Sequence, residues 1–347
     1  MKIWQAAGIV ITVAGMAAGG WYFKYGRERW ADPKGAALNK TELNLTRYDF
    51  NELKKRGGIA SDIQILGSIP EIEKRRKACK GETCLTKNEA KSFETHEISF
   101  ESEGRKISGM MNLPLTVESR KRPAIIMIRG YADRPGYYVG FGSYKAADKL
   151  AANGYVTVSL DFLSYGHSDQ ESMDLLEARF EKVVSTLDLI ESVKKLPYVD
   201  PNKIGIWAHS NGGQIALSVL EVTGDNYPTT LWAPMTNPFP ESVLDTANGL
   251  DDNGKLVVKT IADFEKHYDS RRYAFENYYD WVRAPVQIHQ GTADAWCKVD
   301  WQQNVVNKLR EFGQTANLYI YQGDDHNFGK SWKELVGRDL VWFKEKL

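Results

Sequence analysis

The sequence predicts an α/β fold, with a mostly parallel eight-stranded sheet, helices on both faces and a small cap. From about residue 94, short apolar segments alternate with amphipathic ones, which is typical of parallel strands connected by helices. The 347 residues can form one large domain with an extension, and 42% of them are hydrophobic, enough for a buried core. The 45 Lys and Arg balance the 45 Asp and Glu, so we expect no nucleic-acid partner.

The strands are predicted where β-branched and aromatic residues cluster between turn residues. The eight segments are Glu97–Phe100, Ile107–Leu113, Ala124–Ile128, Val156–Leu160, Ile204–Trp207, Thr229–Trp232, Val286–His289 and Leu318–Tyr321. Helices are predicted where apolar residues recur three or four positions apart. They cover Ser143–Ala152, a long stretch around Leu176–Ile190 that Pro197 stops, Gly213–Val222, Asp300–Phe312 and Trp332–Phe343.

The N-terminus is predicted to be a membrane segment. Ile3 to Phe23 is a run of 21 residues without a charge. As a helix it would reach ~32 Å, which is enough to cross a bilayer. We expect residues 1–30 to form a membrane anchor or signal segment, with an uncleaved single-pass anchor favoured, so that the membrane is a partner through residues 3–23.

The rest of the chain divides at about residue 94. Residues 31–93 are polar and form an extension that we expect to pack on the main domain, which covers residues 94–347. A segment rich in Phe and Tyr, at about residues 237–281, interrupts the alternation of strands and helices. We interpret that segment as the cap, whose aromatic side chains either line a substrate pocket or pack against the sheet.

The side of the membrane on which the main domain lies remains open. Lys24, Arg27 and Arg29 follow the apolar run, which favours a cytoplasmic domain. Cys79 and Cys84, in a polar segment, would close a small disulfide loop if the domain were exported, although reduced surface thiols are an equally simple interpretation. The balance leans slightly towards export.

A serine between a strand and a helix is the candidate nucleophile. Ser210 follows the apolar segment Ile204–Trp207 and precedes a predicted helix. A sharp turn at this point leaves little room two residues before and two residues after the serine, where Ala208 and Gly212 stand. The turn presents the hydroxyl at the helix N-terminus, where the Asn211 amide can donate to a developing oxyanion.

The serine needs a base and a carboxylate. His326 lies in a polar loop directly after the last predicted strand, and loops at the carboxyl ends of parallel strands share one edge of the sheet. Asp294 follows the preceding strand and can fix the tautomer of His326. Asp324 and Asp325 are the alternatives, although as neighbours of His326 they more simply order its loop.

The second oxyanion donor is predicted after the strand at Ala124–Ile128. We expect it to be the Tyr131 amide, because Gly130 lets the backbone approach the substrate closely. Arg129 is expected to pair with Asp133. Cys297 is not a candidate nucleophile, and we interpret it as a small buried hydrophobe.

Together these residues resemble the α/β-hydrolase superfamily, and most of all the catalytic domain of the prolyl oligopeptidase family and its dienelactone-hydrolase-like relatives. The resemblance covers about residues 94–347, and it rests on Leu196–Trp207, Ala208–Gly213, Gly291–Asp294, Asp161 with Gly166–Ser168, and Asp325 with His326. It implies a triad of Ser210, Asp294 and His326, in the chain order expected of α/β-hydrolases, and an eight-stranded sheet. It also implies hydrolysis of an ester or peptide bond through an acyl-enzyme.

The chain departs from the family pattern in several places. Ala208 replaces the usual first glycine, Asn211 stands where prolyl oligopeptidases commonly have Tyr, and Arg129 stands where many relatives have His. The family's peptidases usually carry a large β-propeller, which residues 31–93 are too few to build.

We therefore expect a serine hydrolase that acts on a small-molecule ester or a peptide, without a cofactor and without a metal. A carboxylesterase resembling dienelactone hydrolase is the first alternative, because it needs only an acyl pocket and an alcohol pocket. A non-catalytic binding module on the same scaffold is the second alternative.

Overall fold

The computed structural model of the protein describes residues 44–115, 121–245, 252 and 254–347. The strands among these residues are β1 (Gln64–Gly67), β2 (Phe93–Ser102), β3 (Arg105–Pro114), β4 (Arg122–Ile128), β5 (Val156–Leu160), β6 (Val199–His209), β7 (Thr229–Trp232), β8 (Val286–Gly291) and β9 (Ala316–Tyr321). The helices are α1 (Phe50–Arg56), α2 (Pro70–Ala78), α3 (Tyr144–Ala152), α4 (Leu175–Lys194), α5 (Asn211–Thr223), α6 (Glu241–Leu244), α7 (Lys255–Glu265), α8 (Val299–Glu311) and α9 (Trp332–Lys346).

The strands form one sheet in the order β1-β2-β3-β5-β4-β6-β7-β8-β9. The pairs from β5 through β4 to β9 are parallel, and the pairs from β1 through β3 to β5 are antiparallel. In the middle of the sheet, Ile126 of β4 lies opposite Val158 of β5 and Ile206 of β6, and all three side chains are buried. The prediction of an α/β fold with a mostly parallel sheet is confirmed.

The predicted count of eight strands is wrong by one among the described residues. All eight predicted segments are strands, and β1 is added at one edge, antiparallel to β2. Its four residues are exposed, and the side chains of Ile65 and Leu66 are each 54% exposed. Because neither face of β1 is buried, the segment has no alternation of apolar and polar residues by which it could be predicted.

The core lies on both faces of the central strands. On one face, Trp232 of β7 packs edge-to-face against Trp207 of β6 and against Trp332 of α9, with ring centroids 5.0 Å apart in both pairs. On the other face lies α4, whose first turn is capped by Asp174, since the carboxylate accepts from the Leu176 N–H at 2.9 Å.

A buried polar network connects α9 to the strands. Asp339 of α9 accepts hydrogen bonds at 2.6 to 3.1 Å from four side chains of β7 and β8. They are Thr230, Trp232, Gln287 and His289. Every side chain in this network is at most 3% exposed, so the hydrogen bonds replace those that water would make.

Residues 44–91 belong to the same compact unit as the sheet. Arg56 of α1 pairs with Asp188 of α4 at 2.8 Å, and Ile72 of α2 is completely buried. Cys79 and Cys84, which the sequence left either oxidised or reduced, form a disulfide. The predicted anchor at residues 3–23 lies outside the described residues, and none of the described helices is both long enough and apolar enough to cross a bilayer.

The segment interpreted as the cap belongs to two compact units. Residues 239–270, with α6 and α7, form part of one unit, in which Phe264 packs on Phe239 and on Tyr268. Residues 271–281 belong to the unit of the sheet. There the aromatic side chains serve in packing, since the Tyr273 ring lies 5.1 Å from that of Phe180.

Candidate active site

Ser210 occupies the turn between β6 and α5. Its backbone has φ +54° and ψ −123°, a conformation that L-residues rarely adopt. The turn is held by the backbone, because the Ser210 N–H donates to the Trp232 carbonyl at 2.9 Å and the Ser210 carbonyl accepts from the Met235 N–H at 2.8 Å. The strain is thus balanced by contacts with the last residue of β7 and with the segment that follows it.

The residues around Ser210 are small because neighbouring atoms leave no room for larger side chains. A Cβ on Gly212 would lie 2.3 Å from the Ile128 carbonyl oxygen, and a Cβ on Gly213 would lie 2.2 Å from Pro234. Ala208, two residues before the serine, is completely buried in β6. The close approach of α5 to the end of β4 therefore excludes larger side chains.

Asp294 and His326 meet at the carboxyl ends of β8 and β9. His326 Nδ1 donates to Asp294 Oδ2 at 2.8 Å. The Gln290 side chain donates to the same oxygen at 3.0 Å, and the N–H groups of Trp296 and Cys297 donate to Oδ1 at 2.7 and 3.0 Å. Burial alone would raise the pKa of Asp294, but the hydrogen bond and charge of His326 and the N–H groups of Cys297 and Trp296 lower it, so the carboxylate is ionised at neutral pH.

The alternative carboxylates bond to their own loop. Asp324 accepts from the backbone N–H groups of Lys330 and Ser331, and Asp325 accepts from that of Asn327 at 2.9 Å. Burial would raise the pKa of Asp324, and these hydrogen bonds lower it. The two residues order the loop that carries His326, and the carboxylate bonded to its ring is that of Asp294.

The candidate base lies beside the strand that leads to Ser210. The ring of His209, the last residue of β6, lies 4.8 Å from the ring of His326. His209 Nε2 also donates to the main-chain carbonyl of His326 at 3.0 Å. Among the described residues, the Ser210 hydroxyl and His326 share no hydrogen bond; in free enzymes such contacts are often long and shorten when substrate binds.

The loop after β4 lies directly against the serine. A Cβ on Gly130 would lie 2.8 Å from Ser210 Cβ and 3.4 Å from its Oγ. Tyr131 follows Gly130 and is 43% exposed, whereas Asn211 is the first residue of α5. The two backbone amides proposed for the oxyanion thus come from the loop that touches Ser210 and from the helix that follows it.

The expected pair of Arg129 and Asp133 is wrong. Arg129 is buried and donates to the Tyr137 hydroxyl at 3.0 Å and to the carbonyls of Gly130 and Asp161. Asp133 instead accepts from the Tyr131 hydroxyl at 3.1 Å. The loop turns Arg129 inward because aromatic rings surround its guanidinium, that of Tyr165 at 4.1 Å.

Sequence reasoning missed the observed roles of three residues around the site. They are Arg129, which binds the loop after β4; His209, which binds the His326 loop; and Gln290, which binds Asp294. Each is a polar residue at or next to the end of a buried parallel strand. That position is the one signal in the sequence by which they could have been found.

Asp294, Cys297 and His326 each offer an atom that could bind a metal, and the three atoms lie within 4.8 Å of one another. The carboxylate and the imidazole already share a hydrogen bond. Burial and the charge of Asp294 raise the pKa of the Cys297 thiol, and the thiol form is a poor ligand. We therefore assign the Asp294 and His326 atoms to the hydrogen bond that they share.

The chain is similar to known peptidases and esterases. The model of the prolyl oligopeptidase family matches residues 143–347, which is more than half of the chain. The uncharacterized peptidase YuxL of Bacillus subtilis (strain 168) is 23% identical over 257 residues, which make up 68% of this chain and 36% of that protein. This chain thus spans about a third of the length of that relative.

Two solved structures share the fold. The acylaminoacyl peptidase of Pyrococcus horikoshii is 20% identical with a TM-score of 0.56, over 74% of this chain and 42% of that one. The acetyl xylan esterase of Paenibacillus sp. R4 is 14% identical with a TM-score of 0.61, over 89% of this chain and 96% of that one. Since the family model matches more than half of the chain, the chain belongs to the prolyl oligopeptidase family.

Proposed function

We propose that this chain is a serine hydrolase that cleaves a peptide bond or a carboxylic ester bond through an acyl-enzyme. One observation carries the proposal: the 2.8 Å hydrogen bond between His326 and Asp294 lies at the same edge of the sheet as Ser210 on its strained turn. A nucleophile, a base and a group that orients the base are the parts that acyl transfer requires.

In the proposed mechanism, the Ser210 hydroxyl attacks the substrate carbonyl while His326 Nε2 takes its proton. Asp294 holds the Nδ1–H tautomer and stabilises the imidazolium that forms. His326 then gives the proton to the leaving alcohol or amine. Water, activated by His326, attacks the acyl-enzyme in the same way, so that Ser210 is regenerated and the acid is released.

The negative charge on the carbonyl oxygen is stabilised by the Asn211 and Tyr131 amides in this proposal. The loop of Tyr131 touches the nucleophile through Gly130, and the Asn211 amide lies at the N-terminus of α5. Donors fixed in the backbone need little reorganisation when the charge develops, and one such donor is worth ~10²- to 10³-fold in kcat.

The architecture also favours the esterase alternative. The acetyl xylan esterase of Paenibacillus sp. R4 and that of Thermoanaerobacterium sp. JW/SL YS485 match this chain over 94 to 96% of their own length. The acylaminoacyl peptidase matches over only 42% of its length. An ester also has the better leaving group, so the same residues would cleave it more readily than an amide.

A panel of substrates decides between these bond types. We would compare p-nitrophenyl acyl esters of increasing chain length with aminoacyl and prolyl p-nitroanilides, in wild type and in Ser210→Ala. A peptidase would cleave amides at a rate comparable with esters, and an esterase would cleave esters at least ~10³-fold faster. Hydrolysis that is equally fast in Ser210→Ala would contradict both assignments.

We also propose that the main domain lies outside the cytosol. The disulfide between Cys79 and Cys84 supports this location, because disulfides persist in oxidising compartments. Alkylation of intact cells with a membrane-impermeant maleimide tests it, with and without prior reduction. Labelling of Cys79 and Cys84 in intact cells only after reduction supports export, and labelling that appears only after the cells are lysed contradicts it.

A further inference from the structure

The buried guanidinium of Arg129 binds the peptide group between Gly130 and Tyr131 at its carbonyl oxygen. Arg129 Nη1 donates to the Gly130 carbonyl oxygen at 2.8 Å. That carbonyl and the Tyr131 N–H belong to one planar peptide unit, in which the two groups point in opposite directions. A hydrogen bond that fixes the carbonyl on the side of Arg129 therefore turns the Tyr131 N–H to the other side.

The Gly130–Tyr131 peptide unit lies next to the side chain of Ser210, the candidate nucleophile. The hydrogen that stands where a Cβ of Gly130 would be faces the Ser210 side chain, since the Cβ would lie 2.8 Å from Ser210 Cβ. The carbonyl carbon of a substrate attacked by Ser210 must therefore lie close to the same unit. A small rotation of the unit would move the Tyr131 N–H away from the substrate oxygen.

The guanidinium itself has little freedom to move. Arg129 is 4% exposed, and each of its three nitrogens is engaged: Nη1 as above, Nε with the Tyr137 hydroxyl at 3.0 Å, and Nη2 with the Asp161 carbonyl at 2.5 Å. The Tyr165 ring lies 4.1 Å from its central carbon. A lysine could not make this fixed fork of hydrogen bonds, because its ammonium group is a single point on a flexible chain.

The positive charge of Arg129 is not neutralised by direct pairing. No carboxylate in the described part of the chain lies within 4 Å of its nitrogens. The Tyr137 hydroxyl connects it to Asp161, donating to Oδ1 at 2.7 Å, and Asp161 is completely buried. In a site of low polarity, a charged donor on a carbonyl polarises the peptide and strengthens the donor at its other end.

We propose that Arg129 is a positioning residue for the oxyanion, which orients and polarises the Gly130–Tyr131 peptide so that the Tyr131 N–H donates to the charged oxygen of the tetrahedral intermediate. Tyr137 and Asp161 keep the guanidinium in place. The inference rests on the proposed function, because Ser210 must generate that oxygen. The charge exists only in the transition state and the intermediate, so Arg129 raises kcat and leaves substrate binding nearly unchanged.

The test compares Arg129→Met, Arg129→Lys and Tyr137→Phe with the control Tyr138→Phe. The control removes a hydroxyl from the neighbouring tyrosine, whose ring packs under Arg75. The measurements are kcat and KM for a p-nitrophenyl ester and the inhibition constants of a matched pair of ketones. An alkyl trifluoromethyl ketone forms a tetrahedral adduct with the serine, whereas the methyl ketone of the same length binds without forming a stable adduct.

For Arg129→Met we expect kcat to fall ~10²- to 10³-fold and the trifluoromethyl ketone to bind more weakly by a similar factor. KM and the inhibition constant of the methyl ketone should change by no more than about threefold. Arg129→Lys should lose at least ~10-fold in kcat, Tyr137→Phe about tenfold, and Tyr138→Phe nothing.

The inference is wrong if Arg129→Met keeps kcat within about threefold of wild type, or if both ketones lose affinity equally. Should Arg129→Met not fold, Tyr137→Phe decides by the same criteria, because it retains the charge and the ring. Ser210→Ala separates the two proposals. Activity in Ser210→Ala contradicts the proposed function, whereas an inactive Ser210→Ala beside a fully active Arg129→Met contradicts this inference alone.

Discussion

His209 Nε2 donates a hydrogen bond to the main-chain carbonyl oxygen of His326 at 3.0 Å, and the two rings lie 4.8 Å apart. The residue before the candidate nucleophile thereby holds the loop of the candidate base. Burial, together with the neighbouring imidazole of His326, lowers the pKa of His209 to about 4. His209 is therefore neutral near pH 7 and adds no charge that would oppose proton uptake by His326.

This lowered pKa predicts how stability depends on pH. In unfolded chains the pKa of histidine is ~6.5, so between pH 4 and that value the unfolded state binds more protons than the folded state. The contribution of His209 to the free energy of unfolding is complete above pH ~6.5. It is lost as the pH falls, by up to about 1.4 kcal/mol per pH unit. His209→Gln keeps a donor and should flatten the dependence. The free energy of unfolding in urea, measured from pH 4.5 to 7.5, tests this, and equal slopes in both proteins would contradict it.

Substitution of the proposed triad should remove turnover and keep the fold. We expect Ser210→Ala and His326→Ala to lower kcat by ~10⁴-fold or more, and Asp294→Asn to lower it less, because the attacking oxygen remains. The control is Ser270→Ala. Ser270 is not part of the proposed site, and its hydroxyl donates to the Glu265 carboxylate. Ester hydrolysis and thermal unfolding are measured for each variant. A folded His326→Ala with wild-type activity would contradict the proposed triad.

Two glycine substitutions should have opposite effects. A Cβ on Gly130 would lie 2.8 Å from Ser210 Cβ, so Gly130→Ala must displace either the loop or the serine. We expect it to lose most of its activity. Gly337 lies within α9, and the methyl group that alanine would add there has no atom within 4 Å, so Gly337→Ala should stabilise the protein by ~0.5 to 1 kcal/mol with full activity. Urea unfolding and ester turnover measure both effects, and an active Gly130→Ala would show that this contact is unimportant.

Removal of Asp339 should destabilise the protein strongly. Asp339→Ala leaves four buried groups without their acceptor, which for a buried charged network costs ~3 to 5 kcal/mol. Asp339→Asn keeps one oxygen and should lose less. Chemical unfolding compares the variants, and a loss under about 1 kcal/mol in Asp339→Ala would mean that water or other groups replace the carboxylate.

The parts of the fold that depend on burial could be predicted from the sequence. The segments at Val156–Leu160 and Thr229–Trp232 are buried on both faces, so their apolar runs mark them as strands, and the structure has the same bounds. β1 could not be predicted, because Ile65 and Leu66 are exposed and its pairing with β2 depends on the edge that β2 happens to present.

The candidate site, like the fold, could be predicted only in part from the sequence. The positions of Ser210, Asp294 and His326 relative to the strands indicated that they would share one edge of the sheet, because that depends only on the direction of parallel strands. The roles of Arg129 and Gln290 depend on where a side chain points after its loop has closed. Asp133 is near Arg129 in sequence, but the aromatic rings of Tyr137 and Tyr165 draw the guanidinium inward instead.

Covalent labelling of the serine is the most direct test of the central claim. The folded protein is incubated with an alkyl fluorophosphonate and digested, and the modified residue is located by mass spectrometry, with His326→Ala and heat-unfolded protein in parallel. We expect one phosphonylated residue, Ser210, in the folded wild type, at least ~10³-fold slower labelling in His326→Ala, and none after unfolding. A folded protein that takes up no label at Ser210 would contradict the account and would favour a binding module on a hydrolase scaffold.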